Sequence, residues 1–261
     1  MGFRRQQPVH SIELNGELCR QGQLLADKHQ LSHTFTQLDA LTPAATKHLQ
    51  PAQHAVALHA CGELHLQLIK QAGSRRTHQV SISPCCYHLI QDRYYRPLSK
   101  AAKEHPLKLS HHDLRLPLQE TVTAPKRLDP LRIQEVSWRL GFDLLQRQVR
   151  ERDEYLNTPN IPKTLLRGSF KDYCLWVADR KQLSLPVDTD FDHYQRSGEQ
   201  RYPLIKKIEL VRHLYRRPLE LWLVLDRALY LQEQGYQVTI NEFCDRRLTP
   251  RNILINAKLA T

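Results

Sequence analysis

An α/β fold, with helices packed on a mostly parallel sheet, is what the sequence predicts, and three observations predict it. Short β-branched or apolar runs alternate with helical stretches through the first third of the chain, a long middle segment carries only helical periodicity, and two strand-like runs around a turn close the chain. Alternation of the first kind is the pattern of βαβ units, which right-handed crossovers fold into a parallel sheet with helices on its faces. The expected organisation is one Rossmann-like sheet domain from residues 1–92 and 218–261, with residues 93–217 as a mainly helical insertion.

The predicted strands of the first third are Val9 to Leu14, Thr34 to Leu38, Ala55 to Leu58 and Gln79 to Ile82. Between them, Leu18, Leu24 and Leu25 share one face of a helix over Gly16 to His29. Leu64, Leu68, Ile69 and Ala72 do the same over Glu63 to Gln71, with Gly73 placed to cap that helix. In the middle segment Ile133, Val136, Leu140, Leu144 and Leu145 recur at helical spacing, as do Leu204, Ile208, Val211, Leu214 and Tyr215. The proline-bearing stretches Leu156 to Pro162 and Leu185 to Asp190 read as loops between these helices. Pro218 suits a helix start, and Leu219 to Gln234 forms an amphipathic helix closed by Gly235. Tyr236 to Phe243 and Asn252 to Leu259 flank a turn-rich Arg246 to Pro250 and predict a C-terminal β-hairpin.

With 261 residues and 41% apolar content the chain can bury a real core, which excludes a disulfide-stapled miniprotein. A charged fraction of 25% excludes a disordered polycation. No apolar stretch approaches a membrane span, and the arginines near Met1 have no apolar segment behind them, so neither a membrane anchor nor a secretory signal is expected. Six cysteines, two of them adjacent, fit thiols in a reducing cytoplasm better than a secreted framework.

Of the net charge of +11, residues 93–217 hold 25 basic and 16 acidic side chains, a net +9. Such a surface attracts polyanions, which makes RNA the expected partner of the insertion; a solvated helical face with incidental basic bias is the plainer reading. Tyr94 and Tyr95, between Arg93 and Arg96, offer aromatic faces on which bases stack beside cations that meet phosphate, the alternative being that both rings simply pack the insertion onto the sheet.

In open parallel sheets ligands bind beyond the carboxyl ends of the strands. Those ends carry Glu13, then Asp39, then His59, Ala60, Cys61 and Gly62, then Ser83, Pro84, Cys85, Cys86, Tyr87 and His88, all expected along one sheet edge. Carboxylates there suit ribose hydroxyls or an adenine amine, although each acid alone is as readily a helix N-terminal charge.

Together these motifs resemble the class I S-adenosylmethionine-dependent methyltransferases, in the branch marked by His-Ala-Cys-Gly (59–62) and Ser-Pro-Cys-Cys-Tyr-His (83–88). The likeness covers residues 8–92 and resumes at Leu225, Asp226, Arg227, Leu231 and Gly235, then at Thr249, Pro250, Arg251 and Asn252. A fainter likeness links the two cysteine-bearing motifs to eukaryotic transfer-RNA ribose methyltransferases. The resemblance implies S-adenosyl-L-methionine as cofactor, with Glu13 on its ribose, Asp39 on its adenine edge and His59 to Gly62 on its methionine side. It implies that Ser83 to His88 face the methyl acceptor, with His88 as base and Tyr87 as a stacking or orienting group.

The family opens with a strand and a glycine-rich turn, and here no Gly-x-Gly occurs among the nine glycines. That turn belongs about 20 residues before the acid at the next strand end, which for Glu13 falls ahead of residue 1. The expectation is a sheet lacking its central strand, the one that pairs between those near Val9 and Ala55, so that two interior edges are left unpaired, in a truncated or decayed chain of doubtful activity. Three rival readings stand beside it. One is a non-catalytic RNA-binding or scaffold protein, and another a cysteine-nucleophile enzyme, for which no activating partner is identifiable. The third is a zinc site from His59, Cys61, Cys85, Cys86 and His88; adjacent cysteines diverge in an extended chain, so no metal is assigned.

Overall fold

The computed structural model describes residues 7–118, 129–249 and 251–260, with the side chains of His59, Ala60 and Asp129 outside that description. The chain divides into two compact units, residues 1–120 with 216–261, and residues 121–215.

The first unit is mixed α/β. Strand β1 (Val9–Glu13) leads through helix α1 (Gly16–Lys28) to β2 (His33–Gln37), which pairs parallel with β1. A 3-10 turn (Pro43–His48) precedes β3 (His54–Cys61), helix α2 (Glu63–Arg75) and β4 (Gln79–Cys85), and β3 and β4 also pair parallel. A short helix α3 (Lys100–Glu104) follows. After the second unit the chain returns as helix α7 (Arg216–Glu233) and the antiparallel strands β5 (Tyr236–Glu242) and β6 (Ile253–Leu259). The strands make two sheets, β1-β2 and β3-β4-β6-β5, in place of the single sheet expected. Among the described residues β1 pairs only with β2 and β3 only with β4.

Alternation along the strands sets the core. Val80 and Ile82 of β4 line up with Ala257 and Ile255 of β6, and this face is covered by Leu66, Ile69 and Ala72 of α2 and Leu223, Val224 and Leu231 of α7. On the other face of β3, Val56 and Leu58 are 41% and 61% exposed. Helix α1 also departs from expectation, because Leu18, Leu24 and Leu25 are exposed and it buries Cys19 and Ala26 instead. The reason is Gly22, whose bare Cα lets the Phe35 ring of β2 close against the helix on that side.

Helix α2 runs through Gly73 to Arg75. Its C-cap is Arg76 in the left-handed region (φ +52°), while Gly73 is buried where a Cβ would meet Gln234 Cγ at 3.0 Å. Gly235, at φ +88°, does follow α7 as predicted. Residues 93–118 also differ from expectation: Tyr95, Leu98 and Leu114 belong to the core of the first unit, so the inserted unit begins near residue 121.

The second unit is helical among its described residues, built from α4 (Asp129–Arg150), α5 (Phe170–Lys181) and α6 (Phe191–Leu214). Its core is aromatic, with Trp138, Phe142, Phe170 and Tyr173 stacked or edge-on around Leu145 and Val177. Helices α4 and α6 approach to backbone contact at two glycines; a Cβ on Gly198 would stand 2.2 Å from the Ser137 carbonyl, and one on Gly141 2.6 Å from that of Tyr194. Leu204, Ile208, Val211 and Leu214, which recur at helical spacing, do lie on α6, with Tyr215 at its C-cap, and all five are exposed. No described helix is long and apolar enough to cross a membrane.

Candidate active site

Two turns meet at the carboxyl ends of β3 and β4. Gly62 N donates to the Cys85 carbonyl (3.1 Å), Glu63 N to the Leu89 carbonyl (2.7 Å), and Leu89 N to the Cys86 carbonyl (2.9 Å), so the segment after β3 is laced to the loop after β4. Gly62 is required twice over. Its φ is +55°, and a Cβ would lie 2.0 Å from the Leu89 carbonyl oxygen. The lacing also brings three sulfurs together. The Sγ atoms of Cys61, Cys85 and Cys86 all lie within 4.8 Å of one another, with 3.4 Å between Cys61 and Cys85. Burial and the neighbouring thiols push the Cys85 thiol far up, and burial with Cys61 pushes Cys86 up, against an opposing pull from Arg251. Neither fits an activated nucleophile.

The remaining predicted site residues have individual fates. Ser83 is 1% exposed and donates to the Arg251 carbonyl at 3.3 Å, and Pro84 is buried beside it. His88 is half-exposed, yet its Nδ1 is buried with no hydrogen-bond partner. Burial, then the charges of Arg115 and His111, lower its pKa, so the imidazole is neutral at physiological pH. Tyr87 is turned into the core. It is 1% exposed, edge-on to His65, and lies under the Arg227 guanidinium at 5.1 Å.

Glu13 and Asp39 stand at and just beyond the carboxyl ends of β1 and β2. Each is half-buried and serves its own backbone: Glu13 Oε1 accepts from Asn15 N and Asp39 Oδ1 from Leu41 N, both at 2.9 Å. They lie in the other sheet from the cysteine turns. His59 and Ala60 are placed on β3, but their side chains, like Pro250, lie outside the described residues.

Behind Tyr87 is a buried polar network whose function composition and motif spacing did not suggest. Arg227 is wholly buried and Asp226 2% exposed. Asp226 accepts from Tyr95 OH, Ser99 Oγ and the amides of Leu98 and Ser99, which ties the start of α3 to α7. Arg227 Nε donates to His65 Nε2 (2.8 Å), and its Nη1 to Tyr95 OH and the Leu223 carbonyl. The signal was available, because Arg227 falls on the apolar stripe of Leu223, Ala228 and Leu231. A charge there must be met by partners.

Parallel β-strands joined by helices, with ligand-bearing turns laced at their carboxyl ends, define an α/β unit with a site at the strand ends. Residues 2–93, which contain β1 to β4, match the family described as a methyltransferase domain. No curated protein and no solved structure matches the chain.

Proposed function

We propose that the first unit is the body of an S-adenosylmethionine-dependent methyltransferase, with its site at the carboxyl ends of β1 to β4. The observation that carries this reading is the coincidence of the family match with those four strands and with the laced turns after β3 and β4. On this reading the two sheets are the flanks of one Rossmann-like sheet, β2-β1 and β3-β4-β6-β5, with an open strand position between β1 and β3.

The residues fit one half of the cofactor better than the other. The carboxylates of Glu13 and Asp39 suit a ribose diol and an adenine edge. The glycine-rich half has no counterpart, and the bare Cα of Gly62 is taken up by the Leu89 carbonyl. When bound, the cofactor supplies a sulfonium methyl for in-line displacement, a reaction that depends mainly on alignment in a dry site. This chain would contribute the two carboxylates for binding, the laced turns for orientation, and the neutral His88 to take a proton from the acceptor.

RNA is the proposed acceptor class. Residues 121–215 hold 17 basic and 13 acidic side chains, a net +4, and the first unit holds the other +7 of the +11. Charge for a polyanion is therefore drawn from both units and not from the insertion alone. The non-catalytic reading keeps one specific support: among the described residues the facing edges of β1 and β3 pair with no strand, and Val56 and Leu58 are exposed on β3.

Calorimetric titration of the purified chain with S-adenosylmethionine separates the two. Micromolar binding that is lost in Glu13→Gln and Asp39→Asn supports the enzyme; RNA binding without cofactor binding replaces it with the scaffold.

A further inference from the structure

We propose that Cys61, Cys85 and Cys86 form a three-thiolate site for zinc. The proposal does not rest on the methyltransferase reading. Its basis is the way three separate features of the backbone converge on one point.

Cys61 and Cys85 are register partners on the parallel strands β3 and β4, after a shift in the pairing beyond Leu58. That shift brings the ends of the two strands level, and the two sulfurs stand 3.4 Å apart, well beyond the ~2.05 Å of a disulfide. Cys86 would face away from Cys85 if the chain stayed extended. It does not, because Cys86 adopts the left-handed conformation at φ +46° and turns its sulfur to the same side, so that all three lie within 4.8 Å. A non-glycine residue held there is strained, and the surroundings must fix it. They do so through the Leu89 N to Cys86 O and Gly62 N to Cys85 O hydrogen bonds.

Zinc bound to thiolate at about 2.3 Å places tetrahedral sulfurs roughly 3.8 Å apart, inside the spread of these three. Soft sulfur ligands select zinc and copper(I) over hard cations, and a set of three leaves one tetrahedral position for water or an incoming ligand. Each ligating thiol releases its proton to solvent, giving a zinc trithiolate of charge −1. Arg251, which already favours the charged form of Cys86, partly offsets that charge. The ion would join the turn after β3 to the turn after β4, adding a metal clasp to the backbone hydrogen bonds.

The test uses the full chain, reduced and stripped of metal under anaerobic conditions, then titrated with cobalt(II) and competed with zinc(II). One cobalt per chain, with a thiolate-to-metal charge-transfer band abolished by zinc, is expected. Cys86→Ser and Cys61→Ser should each weaken binding by more than the ~10–100-fold that loss of an outer-sphere partner costs, while Cys174→Ser and Cys244→Ser leave it unchanged. Far-ultraviolet circular dichroism of each variant separates ligand loss from misfolding, and Cys61 and Cys86, both half-buried, are the positions expected to tolerate serine. Absence of the band, or a band that survives both Cys61→Ser and Cys86→Ser in folded protein, overturns the proposal. So does a Cys61–Cys85 disulfide in protein purified without reductant that reduction fails to convert into a metal-binding form. Failure of cofactor binding leaves these outcomes untouched.

Discussion

At Gly62 a single missing side chain decides whether two motifs meet. Gly62→Ala adds a strained φ to a 2.0 Å collision with a backbone oxygen that no rotamer change relieves. We expect at least about 1–3 kcal/mol of destabilisation, visible as a fall of several degrees in Tm, and faster amide exchange at Leu89 than at core positions such as Ile82. Unchanged exchange at Leu89 would show that the turns do not depend on that glycine.

His88 makes a prediction with a definite sign. Its pKa is lowered in the folded chain, so above the ~6.5 of an ordinary imidazole both states are neutral and the group contributes nothing. As pH falls below that value the unfolded chain takes up the proton first, and stability declines until the folded imidazole protonates too. The urea midpoint should drop less on acidification in His88→Gln than in the parent. Some acid loss will remain, because burial and the nearby His48 and His33 lower His10 as well. An identical pH profile in the variant would remove His88 from the argument. The general placement of this histidine was readable from its motif, whereas the inward turn of its neighbour Tyr87 was not, because it depends on Arg227, far away in sequence.

Among the elements, strands and helices were readable wherever a periodic pattern coincided with a local stop signal, as for α7 and Gly235. Reading failed where packing overrode the signal. Gly73 looks like a cap, but it admits Gln234 against α2, and Arg76 takes the left-handed cap instead. The leucines of α1 look like a core face, but the small residues Cys19, Gly22 and Ala26 allow the closer approach.

The α4–α6 contact is the same effect in the second unit. Gly198→Ala places a methyl on the Ser137 carbonyl and the Gly141 backbone, so it should destabilise that unit by about 1–3 kcal/mol or more, since overpacking at backbone contact has little room to relax. Two separate thermal transitions, of which only one shifts, would be the expected record. In the first unit, Arg227→Met should cost about 1–3 kcal/mol, because it removes the buried donor to His65 Nε2, Tyr95 OH and the Leu223 carbonyl. Pairing it with Asp226→Asn should cost less than the sum of the single changes, since the two groups share Tyr95. Strict additivity would separate them into independent sites.

For the molecule as a whole, the two cysteine-bearing motifs legible in the sequence are laced together at the strand ends, while the charge split at residue 92 does not follow the boundary between the units. Splitting the chain at Asp92 assigned to an insertion the cations of residues 93–120, yet Tyr95, Leu98 and Leu114 bind that segment into the first unit. Periodicity could not reveal this, because the segment is held by a side chain 131 positions away, Asp226. The aromatic pair offered to RNA is divided by the same contact. Tyr95 is buried and bonded to Asp226, while Tyr94 lies under Arg93 at 5.3 Å and Lys108 at 5.0 Å; Arg96 is paired with Asp92 at 2.8 Å. If RNA binds this chain, phosphate should therefore be met by Arg93 and Lys108 and hardly by Arg96. Measured across a salt series, the Arg93→Ala/Lys108→Ala double variant should lose about 1–2 units from the slope of log K against log salt, since each phosphate contact contributes roughly 0.7–0.9. Arg96→Ala should change it by much less, because removing one member of an ion pair also frees Asp92. A slope that falls with Arg96→Ala and not with the double variant would place the polyanion surface elsewhere, and the RNA assignment at Tyr94 would have to be given up.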